Sequence, residues 1–380
     1  MIRLYIERDV FYMDIIGIIA EFNPFHNGHL YFINKIKELY PDSILVLVLN
    51  GYFLERGEIS IESKEEKTRL ALKYGVDIVL ELPCLYGVNS GDYFGDASVK
   101  ILNELKINKL IFGSECNDIS KLINIATIQL NNNIDDDIKK YMDQGDNYPT
   151  ALNKAIGISL DSPNDLLGVS YIKSIISNKF DIQPISIKRT NDYHDTDSND
   201  YIISASNIRD KIKNNIDIKT YIPEGKINTV NYDLLFNLIK HKIITDDNLA
   251  DYETVDEGLD NKLKNVINDV NSYDELIDAI KTKRYTYNRL NRMLIHILLG
   301  IKKKDNNKPI EYVRLLGFNN KGKEYINLIK KDINIPLITK YRDLDNKVKE
   351  YEDKAASIYK LLTNDDVLVF ESNNKPIITE

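Results

Sequence analysis

Cysteine is scarce in this chain: Cys84 and Cys116 are the only two in 380 residues. They share no metal-type spacing, which argues against a disulfide framework and points to a reducing cytoplasm. Both lie beside predicted strand ends, where they read as small buried side chains. No apolar run is long enough to cross a bilayer. Residues 1–12 mix charges with aromatics and lack a signal-peptide core. Because Met13 stands just before the first apolar strand, residues 1–12 read as an upstream extension that contributes little. Positive charge is not in excess. Lys and Arg number 50 against 58 Asp and Glu, a formal net charge of -8. That argues against a protein coated in nucleic acid and leaves room for one basic face. There is no G-x-x-x-x-G-K-[ST], no G-x-G-x-x-G after the first strand, and no internal repeat.

The first part of the chain alternates strand and helix signals. Continuous apolar runs at Ile15–Phe22, Ser43–Leu49, Val76–Leu82, Lys109–Phe112 and Ile182–Ile187 read as strands. Helical patterns separate them, among them Asn27–Tyr40, Lys64–Tyr74, Ala97–Leu105 and Asn164–Ser177. Unbroken apolar strands alternating with helices imply a doubly wound α/β fold whose parallel sheet is covered on both faces. Right-handed crossovers put every strand-to-helix turn on one edge. The loops after Phe22, Asn50, Leu82 and Phe112 are therefore expected to face one cleft. Length favours two domains. The best boundary is Ile222-Pro223-Glu224-Gly225, after which helical patterns dominate to residue 300. A strand-like Tyr312–Leu316 and a helix near Lys347–Leu361 follow. The expected organisation is an extension (1–12), a catalytic α/β domain (13–225) and a mainly helical domain (226–380).

On the inferred cleft edge stands His26-Asn27-Gly28-His29, directly after the first strand and at the start of a helix. At this spacing both rings point the same way. Unpaired amides and the helix dipole would welcome a phosphate there, and two imidazole N–H groups would extend the cradle. Solvated histidines or half a zinc site are the bland alternatives, and no other Cys or His lies nearby to complete zinc. Only five histidines exist, and His26, His29 and His194 are expected near one site. Gly113 ends the fourth strand, where its backbone suits a flat ligand such as adenine and equally a plain strand end. Asn164 fits an N-cap or a contact to ribose or base. Arg189 fits a phosphate ligand and equally a surface cation. Ser204, Ser206 and Arg209 sit at another helix start that suits phosphate, with N-capping as the simpler role. Lys281–Lys304 is the most basic window and contains no acidic residue. Lys283, Arg284, Arg289 and Arg292 form its candidate RNA-backbone face, alongside Tyr285 and His296.

The stretch Gly17-Ile18-Ile19-Ala20-Glu21-Phe22-Asn23-Pro24-Phe25-His26-Asn27-Gly28-His29-Leu30 closely resembles the opening of the bacterial tRNA(Met) cytidine acetate ligases. These belong to the H-x-G-H nucleotidyltransferase superfamily, which includes the class I aminoacyl-tRNA synthetases. The resemblance continues through Gly51–Glu58, Ser63-Lys64, Glu81-Leu82-Pro83, Phe112–Glu115, Pro163-Asn164, Tyr193-His194-Asp195, Ser204–Ser206, Lys281–Thr286 and Arg314–Gly317. It covers nearly the whole chain after Met13. It implies a Rossmann-like fold of the nucleotidyltransferase type and an ATP-dependent enzyme. That enzyme would make N4-acetylcytidine at the wobble base of elongator tRNA(Met) from acetate, by way of acetyl-adenylate. By motif match, ATP binding falls on Ile19, Ala20, Glu21, Phe22, Asn23, Pro24, Phe25, His26, Asn27, Gly28, His29, Leu30, Tyr31 and Phe32, with Gly113, Asn164 and Arg189. His26 and His29 carry the catalytic role. Magnesium is expected to accompany ATP, with no dedicated carboxylate cage; no DNA or membrane partner is implied. Two other readings stay open: a small-molecule adenylyltransferase, and a non-catalytic nucleotide- or RNA-binding protein. Neither the acyl donor nor the tRNA species is written in the residues themselves.

Overall fold

The computed structural model describes residues 3–6, 9–131, 134–160, 162–189, 201–306, 308–344, 346–372 and 375–380. Its strands are β1 (Arg3–Ile6), β2 (Asp9–Tyr12), β3 (Ile15–Ala20), β4 (Ile44–Asn50), β5 (Ile78–Leu82), β6 (Lys109–Ser114), β7 (Gln183–Lys188), β8 (Val313–Phe318), β9 (Leu337–Ile338) and β10 (Ile377–Ile378). Among the described residues, β1 and β2 pair with each other and not with the central sheet. The central sheet runs in the order β10-β8-β5-β4-β3-β6-β7, with β9 beside β8. From β5 to β7 every pairing is parallel.

β4 explains the two covered faces. No side chain from Ile44 to Leu49 is more than 2 % exposed. Successive side chains of a strand point to opposite faces, and here the two sets enter different clusters. Ile44, Val46 and Val48 join the larger core. Leu45, Leu47 and Leu49 join a second one with Ile33 and Ile36 of the helix Asn27–Leu39 and Leu70 of the helix Lys64–Lys73. Each fully buried aliphatic side chain of this kind contributes about 1.5–3 kcal/mol.

The sheet departs from all-parallel order at one place. β8 pairs antiparallel with β5, with a register shift at Val79/Leu80. A run buried on both faces carries no direction in its pattern, so the sequence could place this strand without orienting it. The segment after residue 225 therefore does not fold apart from the sheet. β8 and β10 extend it, and Leu235, Ile239, Leu290 and Met293 share the larger core with Ile15 and Val46. Helices still predominate between Tyr232 and Leu299. No helix among the described residues is long and apolar enough to cross a membrane.

Candidate active site

The carboxyl ends of β3, β6 and β7 border a cleft of about 260 Å³. Among the residues singled out in the sequence, its wall takes Ile19, Ala20, Glu21, Phe22, Asn23, His26, Gly28, His29, Tyr31, Phe32, Gly113, Asn164 and Arg189. Pro24, Phe25, Asn27 and Leu30 are not part of that wall. Phe25 is fully buried and stacks on Tyr74 at 5.4 Å. The Asn27 amide turns away and donates to the carbonyls of Tyr201 (3.0 Å) and Thr220 (2.9 Å). The loop after β5 also misses the cleft: it enters the short helix Cys84–Gly87. His194 lies outside the described residues.

The histidine pair is built by reciprocal capping of the helix Asn27–Leu39. The Gly28 amide donates to His26 Nδ1 (3.0 Å), and the His26 amide donates to His29 Nδ1 (3.2 Å). A ring nitrogen that accepts carries no proton, so both imidazoles hold their hydrogen on Nε2. The rings lie 3.8 Å apart between centroids. Burial, helped by Arg189 and Arg209, lowers His26 to about 3. Burial, with His26 and Arg189, also holds His29 well below its usual range. Two neutral Nε2–H donors at the cleft are the result.

The amides of the first helical turn, expected to be free, are not. The Asn27 amide donates to Tyr221 O (3.0 Å), Gly28 to the His26 ring, and His29 and Leu30 to His26 O (2.8 and 3.1 Å). The cradle thus rests on the imidazoles and the helix dipole rather than on open backbone donors.

Across the cleft, Gly113, Asn164 and Arg189 meet around Glu115. Asn164 Nδ2 donates to Glu115 Oε1 (2.6 Å), which lies 3.7 Å from Arg189 Nε. That Nε is buried with no hydrogen-bond partner among the described residues. The Arg189 side chain passes over Gly113, where a β-carbon would lie 3.4 Å from its Cγ, in ordinary contact. Buried Asp165 fixes the loop by accepting from the Glu115 (3.1 Å) and Cys116 (3.0 Å) amides and from the Ser114 hydroxyl.

Two basic residues brace the cleft: Arg209 on its wall, at the helix start expected to suit phosphate, and Lys67 behind it, which carried no assigned role in the sequence. Arg209 donates to Asn23 O (2.8 Å) and pairs with Glu58 (2.9 Å). Buried Lys67 donates to the carbonyls of Glu21 (2.9 Å), Asn50 (2.7 Å) and Gly51 (2.6 Å), tying the ends of β3 and β4 together. The Gly51–Glu58 motif was the available signal for this loop, and Arg209 ended a segment already flagged for phosphate.

The basic window is less open than its composition suggests. Arg292 is half-buried and pairs with Glu55 (2.9 Å). Arg284 pairs with Glu257 (2.5 Å), and Arg289 with Asp256 (3.3 Å) while covering the Tyr285 ring. His296 is fully buried, with Nε2 2.6 Å from Val88 O. Lys283 is exposed. The acidic partners lie outside the window, which is why reading it in isolation overstated the free face.

Among the described residues, one three-carboxylate group, Glu81, Glu352 and Glu371, has the spacing of a metal site. It is already filled. Lys64 Nζ binds all three (2.6, 2.6 and 2.8 Å), and Arg314 binds Glu81 (3.0 Å) and Glu371 (2.5 Å).

A parallel sheet with a two-imidazole notch at its carboxyl edge defines an α/β nucleotidyltransferase. The family model described as HIGH Nucleotidyl Transferase matches residues 13–374. The tRNA(Met) cytidine acetate ligase of Clostridium perfringens is 36 % identical, covering 94 % of this chain and 98 % of that one. The ligase of the same name from Bacillus subtilis is 34 % identical over 92 % of each. The chain belongs to the tRNA(Met) cytidine acetate ligase family of HIGH nucleotidyl transferases. Its fold is similar to Thermotoga maritima TmcAL, apo form I, with a TM-score of 0.86 at 26 % identity, over 96 % of this chain and 99 % of that one. The same Thermotoga protein bound with alpha-thio ATP gives 0.83.

Proposed function

We propose that this protein is an ATP-dependent ligase that places an acetyl group on N4 of the wobble cytidine of elongator tRNA(Met). Acetate attacks the α-phosphate of ATP, giving acetyl-adenylate and pyrophosphate. The cytidine amine then takes the acetyl group and releases AMP. One observation carries the reading: His26 and His29 stand together on the cleft wall with both Nδ1 atoms taken by backbone amides, in a chain whose relatives bear the ligase name. A related protein that binds an ATP analogue supports ATP as the substrate.

Neither step needs a protein nucleophile, so rate comes from positioning and from stabilising charge on the phosphates. His26 and His29 donate to phosphate oxygens as charge builds on them. Arg189, with its buried unmatched Nε, adds a fixed positive charge. A magnesium ion would arrive on the triphosphate. The Glu81, Glu352 and Glu371 group does not fit it, because Lys64 and Arg314 already neutralise those carboxylates. Residues 13–225 supply the cleft and residues 226–380 grip the tRNA, with Lys283, Arg284, Arg289 and Arg292 at the contact. Residues 1–12 are an extension outside the catalytic unit. Two unpaired thiols suit a cytoplasmic enzyme.

Mass spectrometry of tRNA after incubation with ATP and isotopically labelled acetate tests the proposal. Labelled acetylcytidine, with AMP and pyrophosphate released, is expected. Pyrophosphate release that needs no acetate, with the AMP moiety transferred to a phosphorylated small molecule, would instead favour an adenylyltransferase.

A further inference from the structure

The second half-reaction forms an N–C bond and must dispose of a proton. The lone pair of cytosine N4 attacks the acetyl carbon, the carbonyl π pair moves to oxygen, and its return expels AMP with the C–O bonding pair. N4 loses one proton in the process. Something at the cleft must accept it, within hydrogen-bond reach of that nitrogen.

Three carboxylates line the cleft: Glu21, Glu55 and Glu58. Glu55 is neutralised by Arg292 (2.9 Å) and Glu58 by Arg209 (2.9 Å). Glu115, at the far rim, is held by Asn164 (2.6 Å). Glu21 forms no salt bridge among the described residues, although the charge of buried Lys67 is felt nearby. Its neighbour Lys67 spends its donors on three backbone carbonyls. Glu21 is nonetheless rigidly placed: Oε1 accepts from Asn50 Nδ2 (2.8 Å) and from the Glu55 amide (2.7 Å). Both hydrogen bonds fall on Oε1, which leaves Oε2 without one from the described residues in a side chain that lines the cleft.

Position supports the same role. The nucleotide-side residues Gly113, near the end of β6, and Arg189, just after β7, lie on one flank of β3. Glu21 leans to the other flank, onto Asn50 at the end of β4. There the Gly51–Glu58 loop docks on the helix Tyr287–Leu299: a β-carbon at Gly57 would lie 2.4 Å from the Arg292 amide. Glu21 therefore lies between the nucleotide flank and the side where the helical segment meets the cleft.

We infer that Glu21 is the general base of acetyl transfer, its free Oε2 accepting the N4 proton of the incoming cytosine. A carboxylate is also the side chain that matches the N4 amino group of cytosine in base recognition. Burial lifts the Glu21 carboxyl above its ordinary range, assisted by the neighbouring charges of Glu55 and Glu58 and opposed by the Glu55 amide and Asn50. A base poised nearer neutrality is a better proton acceptor.

This inference rests on the ligase reading, and the test separates the two. Acetate-dependent ATP–pyrophosphate exchange reports the first step, and single-turnover transfer from enzyme-bound acetyl-adenylate to tRNA reports the second. Both are measured on the full chain and on Glu21→Gln, which keeps the Oε1 acceptor. Transfer is expected to fall by about 10²-fold or more and clearly further than exchange, which also falls because Glu21 belongs to the ATP-binding stretch. Glu21→Asp, which restores a carboxylate, is expected to transfer faster than Glu21→Gln. Equal losses in the two steps, unimpaired transfer in Glu21→Gln, or no recovery in Glu21→Asp would overturn the assignment. A wild-type chain without acetate-dependent exchange would instead overturn the ligase reading beneath it.

Discussion

Gly28 and His26 are locked together: a β-carbon on Gly28 would lie 2.7 Å from Cε1 and 2.9 Å from Nδ1 of the His26 ring. The glycine of the motif is there so that the first imidazole can fold back onto its own helix and accept the Gly28 amide. Gly28 has no positive φ, so backbone freedom is not the reason.

Gly28→Ala should therefore displace one ring without unfolding the helix. Acetate-dependent ATP–pyrophosphate exchange is expected to fall by about 10²-fold, as for loss of a single charge-stabilising donor, and about as far as in His29→Ala. Thermal melting checks that the fold survives. Exchange within a few-fold of wild type would show that the ring position does not matter.

His296 sets a pH dependence whose sign can be worked out. Burial lowers it to about 4 in the folded chain, opposed by the Val88 and Glu253 carbonyls, against 6.5 as its ordinary value. The unfolded chain binds a proton below about 6.5 that the folded chain refuses until about 4. The histidine's contribution is thus present above 6.5 and lost as pH falls toward 4, by up to about 1.4 kcal/mol per pH unit. Glu62, lifted to about 8 by burial, works in the opposite direction, so a difference measurement is needed. The stability gap between wild type and His296→Gln, from urea unfolding, should shrink between pH 6.5 and pH 5. A constant gap contradicts the assignment.

Lys64 is the centre of the buried charge cluster, and Lys64→Met leaves three carboxylates facing a single arginine. Removing one partner of a buried ion pair costs about 3–5 kcal/mol. Urea denaturation should show a loss of that order, and a change below about 1 kcal/mol would mean the cluster relaxes or is solvated.

For the tRNA face the structure selects the variants. Arg292 is unsuitable, since its reversal would break the ion pair with Glu55. Charge reversal at exposed Lys283 should weaken tRNA binding and lower the log–log salt slope by about one if it neutralises a phosphate. Filter binding across a salt series measures both. Unchanged affinity and slope would mark this face as merely solvated.

What could be read from the sequence follows sequence distance. The strands of the parallel block were legible because unbroken runs such as Ile44–Leu49 record burial on both faces. The histidine notch was legible because His26 and His29 are three residues apart on one turn. The Lys64 cluster was not, since Glu352 and Glu371 lie 288 and 307 residues away. The free amides expected at Asn27–Leu30 are consumed by Tyr221 and by His26 itself, pairings that no local pattern announces. His296 looked like part of a basic face because helical spacing gives the side a residue faces, not what covers it.

The most direct test is a crystal structure with a non-hydrolysable ATP analogue. The triphosphate should lie within hydrogen-bond distance of Nε2 of both His26 and His29, with Arg189 on the nucleotide. A bound analogue whose phosphates touch neither imidazole would contradict the account.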